Sequence, residues 1–228
     1  MIQIRPKIIA NFAITADGKV STRCFTPTGF TSSADKRRLQ EIRSLGDAIL
    51  AGKNTVETDN MSMGISDLRL RSRRKRRGLP PVPLRVLVSN TGRLNLKWKV
   101  FQNQDSRIVI FSTRKMPPAT RRKLPPHVDL LISSASSLRM ATILKTLHSV
   151  YGVKTLVCEG GPTLFRSLLE TGAIDEIYIT IAPLIFGGRD APSLTSLPGK
   201  FLKSSRHFHL NKIHQENEEL FLHYTAAR

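Results

Sequence analysis

Val153-Lys154-Thr155-Leu156-Val157-Cys158-Glu159-Gly160-Gly161-Pro162-Thr163-Leu164 reads as a strand, a glycine turn and the start of a helix. Val153 to Val157 is β-rich, and Leu164, Phe165, Leu168 and Leu169 recur at helical spacing until Gly172 stops the helix. Pro162 has no N–H to lose in a first turn, and two glycines let the backbone approach a ligand closely. First-turn N–H groups at the positive end of the helix dipole suit a phosphate. A plain left-handed connection is the alternative for a Gly-Gly pair, so the neighbouring segments decide.

Those neighbours repeat the pattern. Ile8 to Ile14 is a nearly continuous apolar run, as for a strand buried on both faces, and it ends at the turn dipeptide Asp17-Gly18 before an extended Lys19 to Thr22. Thr31-Ser32-Ser33 offers helix caps ahead of the Leu39, Ile42, Leu45 stripe, which Gly46 closes. Further strands are expected at 48–52, 84–88, 107–111 and 128–132, with helices from Asn54 and over about 137–150. The tail reads as two strands around Phe208 and Leu220 to Tyr224, joined by the polar turn 215–218. Strands alternating with helices predict an α/β fold: a mostly parallel central sheet, helices on both faces, and a C-terminal antiparallel hairpin closing one edge.

With 228 residues and 40% hydrophobic composition, the chain is expected to form one globular domain. No apolar run approaches the ~20 residues of a membrane span. Cys24 and Cys158 lie far apart without metal spacing, which fits buried small side chains in a reducing cytoplasm. The charge is unusual: 36 Lys and Arg against 17 Asp and Glu, a formal +19. Its densest part, Arg69 to Arg77, precedes Gly78-Leu79-Pro80-Pro81-Val82-Pro83. Repulsion and prolines predict a basic loop inserted at about 67–83, not a helix. No aromatic lies in the run, so a platform for stacking single-stranded nucleic acid is not expected there.

Ligands of parallel sheets bind at the carboxyl ends of the strands. Ile14 to Gly18, Gly52 to Asp59, Ser89-Asn90, Ser112 to Lys115 and Glu159 to Thr163 all fall there. Ser112, Thr113 and Arg114 suit a 2′-phosphate, the group that separates NADPH from NADH, although Arg114 and Lys115 also fit a solvated turn. Gly187-Gly188-Arg189 is either a second anion cradle or an ordinary loop. His148 reads as a solvent-edge histidine and His207-x-His209 as a surface pair, so no metal is expected. The residue patterns of zinc deaminases, Gly-x-Ser-x-Gly hydrolases, Walker loops and the Rossmann fingerprint are absent.

Together, "TADGKVST" (15–22), "FTSSADKRRLQEIRSLGDAILAGKNTVETDN" (30–60), "LRVLVSNTGRL" (84–94) and "LVCEGGPTLFRSLLETGAIDEIYITIAPLIFGG" (156–188) resemble the reductase of riboflavin biosynthesis, a dihydrofolate-reductase-like family. The likeness is collinear over nearly the whole chain. It implies NADPH-dependent reduction of a ribosylaminopyrimidine 5′-phosphate, the ribosyl carbon in its open-chain imine form becoming ribityl, by a homodimer. By the resemblance, Ile14, Thr55, Asp59 and Gly160, Gly161, Pro162, Thr163 and Leu164 contact the cofactor, and Asn90, Ser112 and Arg114 are expected to join them from their strand ends. Arg43, Met63, Arg69 (or Arg71) and Glu159 would face the substrate, Arg43 towards the ribose phosphate and Glu159 towards the pyrimidine. Asp59 and Glu159 are the only candidates near the cleft for an acid, and a water serves equally.

The chain departs from the family at Asn60-Met61, where the family often has a proline, at Ser89, where it usually has aspartate, and at Gly29-Phe30, where a tryptophan is common. The deaminase domain that many bacteria fuse to this reductase is not part of the resemblance, so deamination is expected from another protein. Two other readings stand beside this one. An NADPH reductase of the same fold would act on another small oxidised substrate. A basic nucleic-acid-binding protein would use an inactive reductase fold.

Overall fold

The computed structural model describes residues 5–22, 30–195 and 202–227. Cys24 lies outside them. In chain order the elements are β1 (Lys7–Thr15), α1 (Ser33–Leu45), β2 (Ala48–Gly52), α2 (Lys53–Asp59), α3 (Leu68–Arg76), β3 (Leu84–Ser89), α4 (Lys99–Gln102) and β4 (Ile108–Thr113). There follow α5 (Pro118–Arg122), β5 (Val128–Ser133), α6 (Met140–Ser149), β6 (Thr155–Cys158), α7 (Pro162–Glu170), β7 (Glu176–Ala182), β8 (Phe208–Glu216) and β9 (Glu219–Ala226).

Among the described residues the strands form one nine-stranded sheet in the order β5-β4-β3-β2-β6-β1-β7-β9-β8. The first seven are parallel, and the β8–β9 hairpin adds antiparallel strands at one edge. Alternation along β1 explains its apolar run. Ile8, Ala10 and Phe12 enter the core under α6 and α7, while Ile9 joins Ile42 of α1, Val56 of α2 and Phe101 of α4 on the other face. Side chains of a strand alternate faces, so only a strand covered on both sides is apolar throughout.

Local signals end the elements as expected. The Ser32 hydroxyl caps α1, accepting from Ala34 N–H at 3.0 Å. Gly172 at φ 65 ends α7, a left-handed conformation that glycine adopts without side-chain strain. The hairpin turn is tighter than the sequence implies: β8 runs to Glu216, and Asn217 (φ 56) with Glu218 makes the reversal. Lys19 to Thr22 forms one bridge, Lys19 with Ser193, and no strand of its own.

The basic run corrects the sequence reading. Residues 68–76 are a helix. The Asp67 carboxylate caps it, accepting from Arg69 N–H at 2.7 Å and Leu70 N–H at 3.3 Å. Leu70 and Arg74, one turn apart, form its buried stripe. The Arg74 guanidinium donates to the carbonyls of Ser44 (2.9 Å), Gly46 (2.6 Å) and Pro80 (2.8 Å), and Arg71 reaches the Ile65 carbonyl and Asp105. Local repulsion argued for a loop, but these distant carbonyls and an acidic cap outweigh it. Arg73 to Arg76 also occupy the last turn, where the helix dipole favours cations.

Candidate active site

Every parallel strand from β4 to β7 releases its chain at the same edge. Adjacent strands lie ~4.8 Å apart, so the rim from β4 through β3, β2, β6 and β1 to β7 is about 24 Å wide. That is room for an extended dinucleotide with a second ligand beside it.

At the centre, β2 and β6 place Thr55 against the glycine turn. Thr55 Oγ1 accepts the Gly161 N–H at 2.8 Å. Gly161 has φ −64, and Gly160 is not left-handed either, so backbone sign is not what requires glycine here. Close approach is. A Cβ at Gly160 would sit 2.2 Å from Leu164 Cδ2, and one at Gly161 would sit 3.0 Å from Thr55 Oγ1. Pro162 opens α7 without a donor, while the N–H groups of Leu164 and Phe165 turn to the Gly161 carbonyl. Thr163, exposed, keeps its first-turn N–H for a ligand. The turn therefore offers fewer free N–H groups than a whole open helix start.

Beside it lies a buried ion pair. Arg43, from α1, forks onto Glu159 with Nε to Oε1 at 2.7 Å and Nη2 to Oε2 at 2.6 Å, while Nη1 donates to the Gly64 carbonyl at 2.8 Å. Their side chains are 7% and 6% exposed. Burial disfavours the charge on Arg43, but the Glu159 carboxylate more than compensates and holds its pKa above the ordinary value. Of a guanidinium's five N–H groups, three are engaged among the described residues. The pair ties α1, the β6 turn and the 63–64 segment into one support, and Met63 within it is fully buried at φ 54.

Towards β4 the residues have mixed availability. Ser112 is fully buried and donates to the Ser89 carbonyl at 2.7 Å, so its hydroxyl faces the fold and not a ligand. Asn90 Oδ1 accepts the Leu138 N–H at 2.9 Å, which leaves its amide N–H groups outward. Arg114 and Lys115 are exposed at the strand end. Towards β7, Thr15 donates to Asp17 at 2.5 Å, and Asp17 accepts from Gly187 N–H at 2.8 Å and Phe186 N–H at 3.2 Å. The Thr15 hydrogen bond, with those backbone donors, holds the Asp17 carboxyl below its ordinary pKa. A cavity of about 360 Å³ opens there, lined by Thr22, Phe186, Gly187, Gly188, Arg189 and Asp190.

The structure thus brings Thr55, Gly160, Gly161, Thr163, Leu164, Arg43 and Glu159 together, with Asp59 closing α2 beside them and Ile14 on β1 next to β6. Asn90 and Arg114 lie further along the rim. Arg69 is exposed in the first turn of α3, while Met63 and Ser112 are interior. Sequence reasoning missed the Arg43–Glu159 pairing and the Asp17–Gly187 clamp. Glu159, a charge directly after the apolar strand β6, was the available signal for the first. Among the described residues no His, Cys, Asp and Glu group has a metal-binding arrangement, and no helix is long and apolar enough to cross a membrane.

Two relatives align over most of their own length and are both named 2,5-diamino-6-ribosylamino-4(3H)-pyrimidinone 5′-phosphate reductase. The one from Methanothermobacter thermautotrophicus is 31% identical, covering 98% of this chain and 99% of its own. The one from Archaeoglobus fulgidus is 30% identical, covering 89% and 91%. Among solved structures, RibD of Acinetobacter baumannii superposes with a TM-score of 0.80 at 21% identity, and this chain spans 99% of itself but 59% of that protein. Residues 6–221 match the model of the RibD C-terminal domain, and the chain belongs to that family.

Proposed function

We propose that this oxidoreductase uses NADPH to reduce the ribosyl group of a ribosylaminopyrimidine 5′-phosphate to ribityl, and that its substrate is the undeaminated 2,5-diamino form. The reductase class follows from the family. The diamino substrate is supported by the near full-length match to relatives bearing that name. The observation that carries the reaction is the adjacency of the Thr55–Gly161 clamp and the Arg43–Glu159 pair on one rim.

The residues present fit a nicotinamide nucleotide. Gly160 lets Leu164 pack against the turn, Gly161 brings the turn within reach of Thr55, and Thr163 offers a first-turn N–H. When bound, the cofactor supplies the hydride. The chain's contribution is binding, orientation and charge. Arg114 and Lys115 place two exposed cations at the end of β4, which suits a 2′-phosphate. The Arg43 guanidinium suits the ribose phosphate, and the Glu159 carboxylate keeps lone pairs for the amino groups of the pyrimidine.

The enzyme works in the cytoplasm as a homodimer. Support for the dimer comes from β8, the outer strand of the sheet. The bulge at Asn211 brings Leu210 and Ile213 to one face, where they are 52% and 60% exposed. Calorimetric titration with NADPH and NADH tests the cofactor assignment. Tighter NADPH binding that Arg114→Glu abolishes supports it, and equal affinity for both nucleotides overturns it.

A further inference from the structure

We propose that α3 is a docking surface for the phosphate backbone of a nucleic acid, separate from the reductase site. The helix exposes Arg69, Arg73, Lys75, Arg76 and Arg77, and among the described residues none of these side chains has an acidic partner. The two other cations of the run, Arg71 and Arg74, fasten the helix to the fold. The surface is therefore rigid. Asp67 caps its start, Gly78 at φ 71 ends it, and the Leu79 N–H closes back on the Arg74 carbonyl at 3.0 Å. A prearranged array loses less conformational entropy on binding than a loop of the same charge.

Geometry and position point to a polyanion and away from the enzyme's own ligands. At about 100° per residue, Arg69, Arg73 and Arg76 share one stripe some ~10 Å long. Arg74 is bonded to the carbonyls of Ser44 and Gly46, directly before β2 begins at Ala48, so the C-terminal half of α3 lies at the edge of the sheet opposite the active-site rim. Arg73, Lys75, Arg76 and Arg77 therefore do not serve the phosphates of cofactor or substrate. Four of the five exposed cations are arginines, whose planar forks match phosphate oxygens. The only large exposed apolar side chain on the helix is Leu68, too little for insertion into a lipid surface, which takes a broad apolar face. With no aromatic side chain on it, the helix offers phosphate contacts and no base stacking.

The test is fluorescence anisotropy of a labelled DNA duplex of mixed sequence, titrated with the full-length protein over a range of salt. Each phosphate contact contributes about −0.9 to the slope of log K against log salt, so four contacts give about −3.6, roughly a 150-fold loss between 50 and 200 mM. A variant with Arg73, Lys75, Arg76 and Arg77 all changed to Gln is expected to lose that portion of the slope and keep wild-type turnover and melting temperature. A second variant neutralises Lys97, Arg122, Lys123 and Lys145, exposed cations elsewhere, and is expected to keep duplex binding. Equal weakening by both variants would show diffuse attraction by net charge and overturn the proposal. So would an unaltered slope in the α3 variant, no duplex binding by the wild type, or tighter binding to phosphatidylserine vesicles at equal anionic charge.

Discussion

Replacing Glu159 with Gln probes the support beneath the site. The substitution keeps the size of the side chain and one acceptor but removes the charge that faces Arg43. That guanidinium is 7% exposed and, among the described residues, has only the Gly64 carbonyl as a further partner. Breaking a buried pair from one side costs about 3–5 kcal/mol, because the remaining charge is left desolvated. The conserved shape of Gln places this variant near ~3 kcal/mol, and for a chain of this length that is a fall in melting temperature of about 6–12 °C. Changing Arg43 and Glu159 together to Met removes both charges and is expected to recover at least ~2 kcal/mol of that loss while turnover stays abolished. Urea unfolding followed by fluorescence suits the measurement, since Trp98 is the single tryptophan and is 7% exposed. A Glu159→Gln protein within ~1 kcal/mol of wild type, or a double variant no more stable than either single one, would refute the reasoning.

Thr55→Ala frees the Gly161 N–H and is expected to weaken nucleotide binding about fivefold, as for the loss of one hydrogen bond of ~1 kcal/mol, with little change in melting temperature; calorimetry reads both. Gly160→Ala drives a methyl into Leu164 and is expected to cost about 1–3 kcal/mol of stability in the same urea assay, and a neutral result would contradict the packing described. Burial pushes the Cys158 thiol up to about 12, so it is expected to stay unalkylated by iodoacetamide at pH 8.5 until the protein is denatured, as mass spectrometry would show. Ile213→Lys places a charge on the exposed face of β8 and is expected to yield a monomer in sedimentation velocity runs where wild type is a dimer.

Fold class was readable because the strands announce themselves. Ile8 to Ile14, Ala48 to Gly52 and Ile108 to Phe111 are apolar on both faces only because helices cover both sides of a parallel sheet. Ser32 and Gly172 were readable because caps and left-handed ends are local. The basic helix was not, because what holds it is distant in sequence: Arg74 finds its partners 30 and 28 residues upstream, at Ser44 and Gly46. Asp67 was its one local sign. At the site, the glycine turn stood out by composition and Thr55 by its strand-end place and the resemblance, whereas the Arg43–Glu159 pair spans 116 residues and the Asp17–Gly187 clamp 170. Ser112 shows the limit of reading a strand end by its hydroxyls. Every residue of β4 is buried, so its hydroxyl stabilises the β3–β4 edge.

The central claim rests on chemistry at the rim, and product analysis tests it most directly. Purified protein would be incubated with NADPH and the 2,5-diamino-6-ribosylamino-4(3H)-pyrimidinone 5′-phosphate, in parallel with its deaminated counterpart. Loss of near-ultraviolet absorbance would report the cofactor, and mass spectrometry the pyrimidine. The account predicts NADPH oxidation matched one to one by a product heavier by two hydrogens, faster with the diamino substrate and lost in Glu159→Gln. Tight NADPH binding with neither pyrimidine reduced would contradict it.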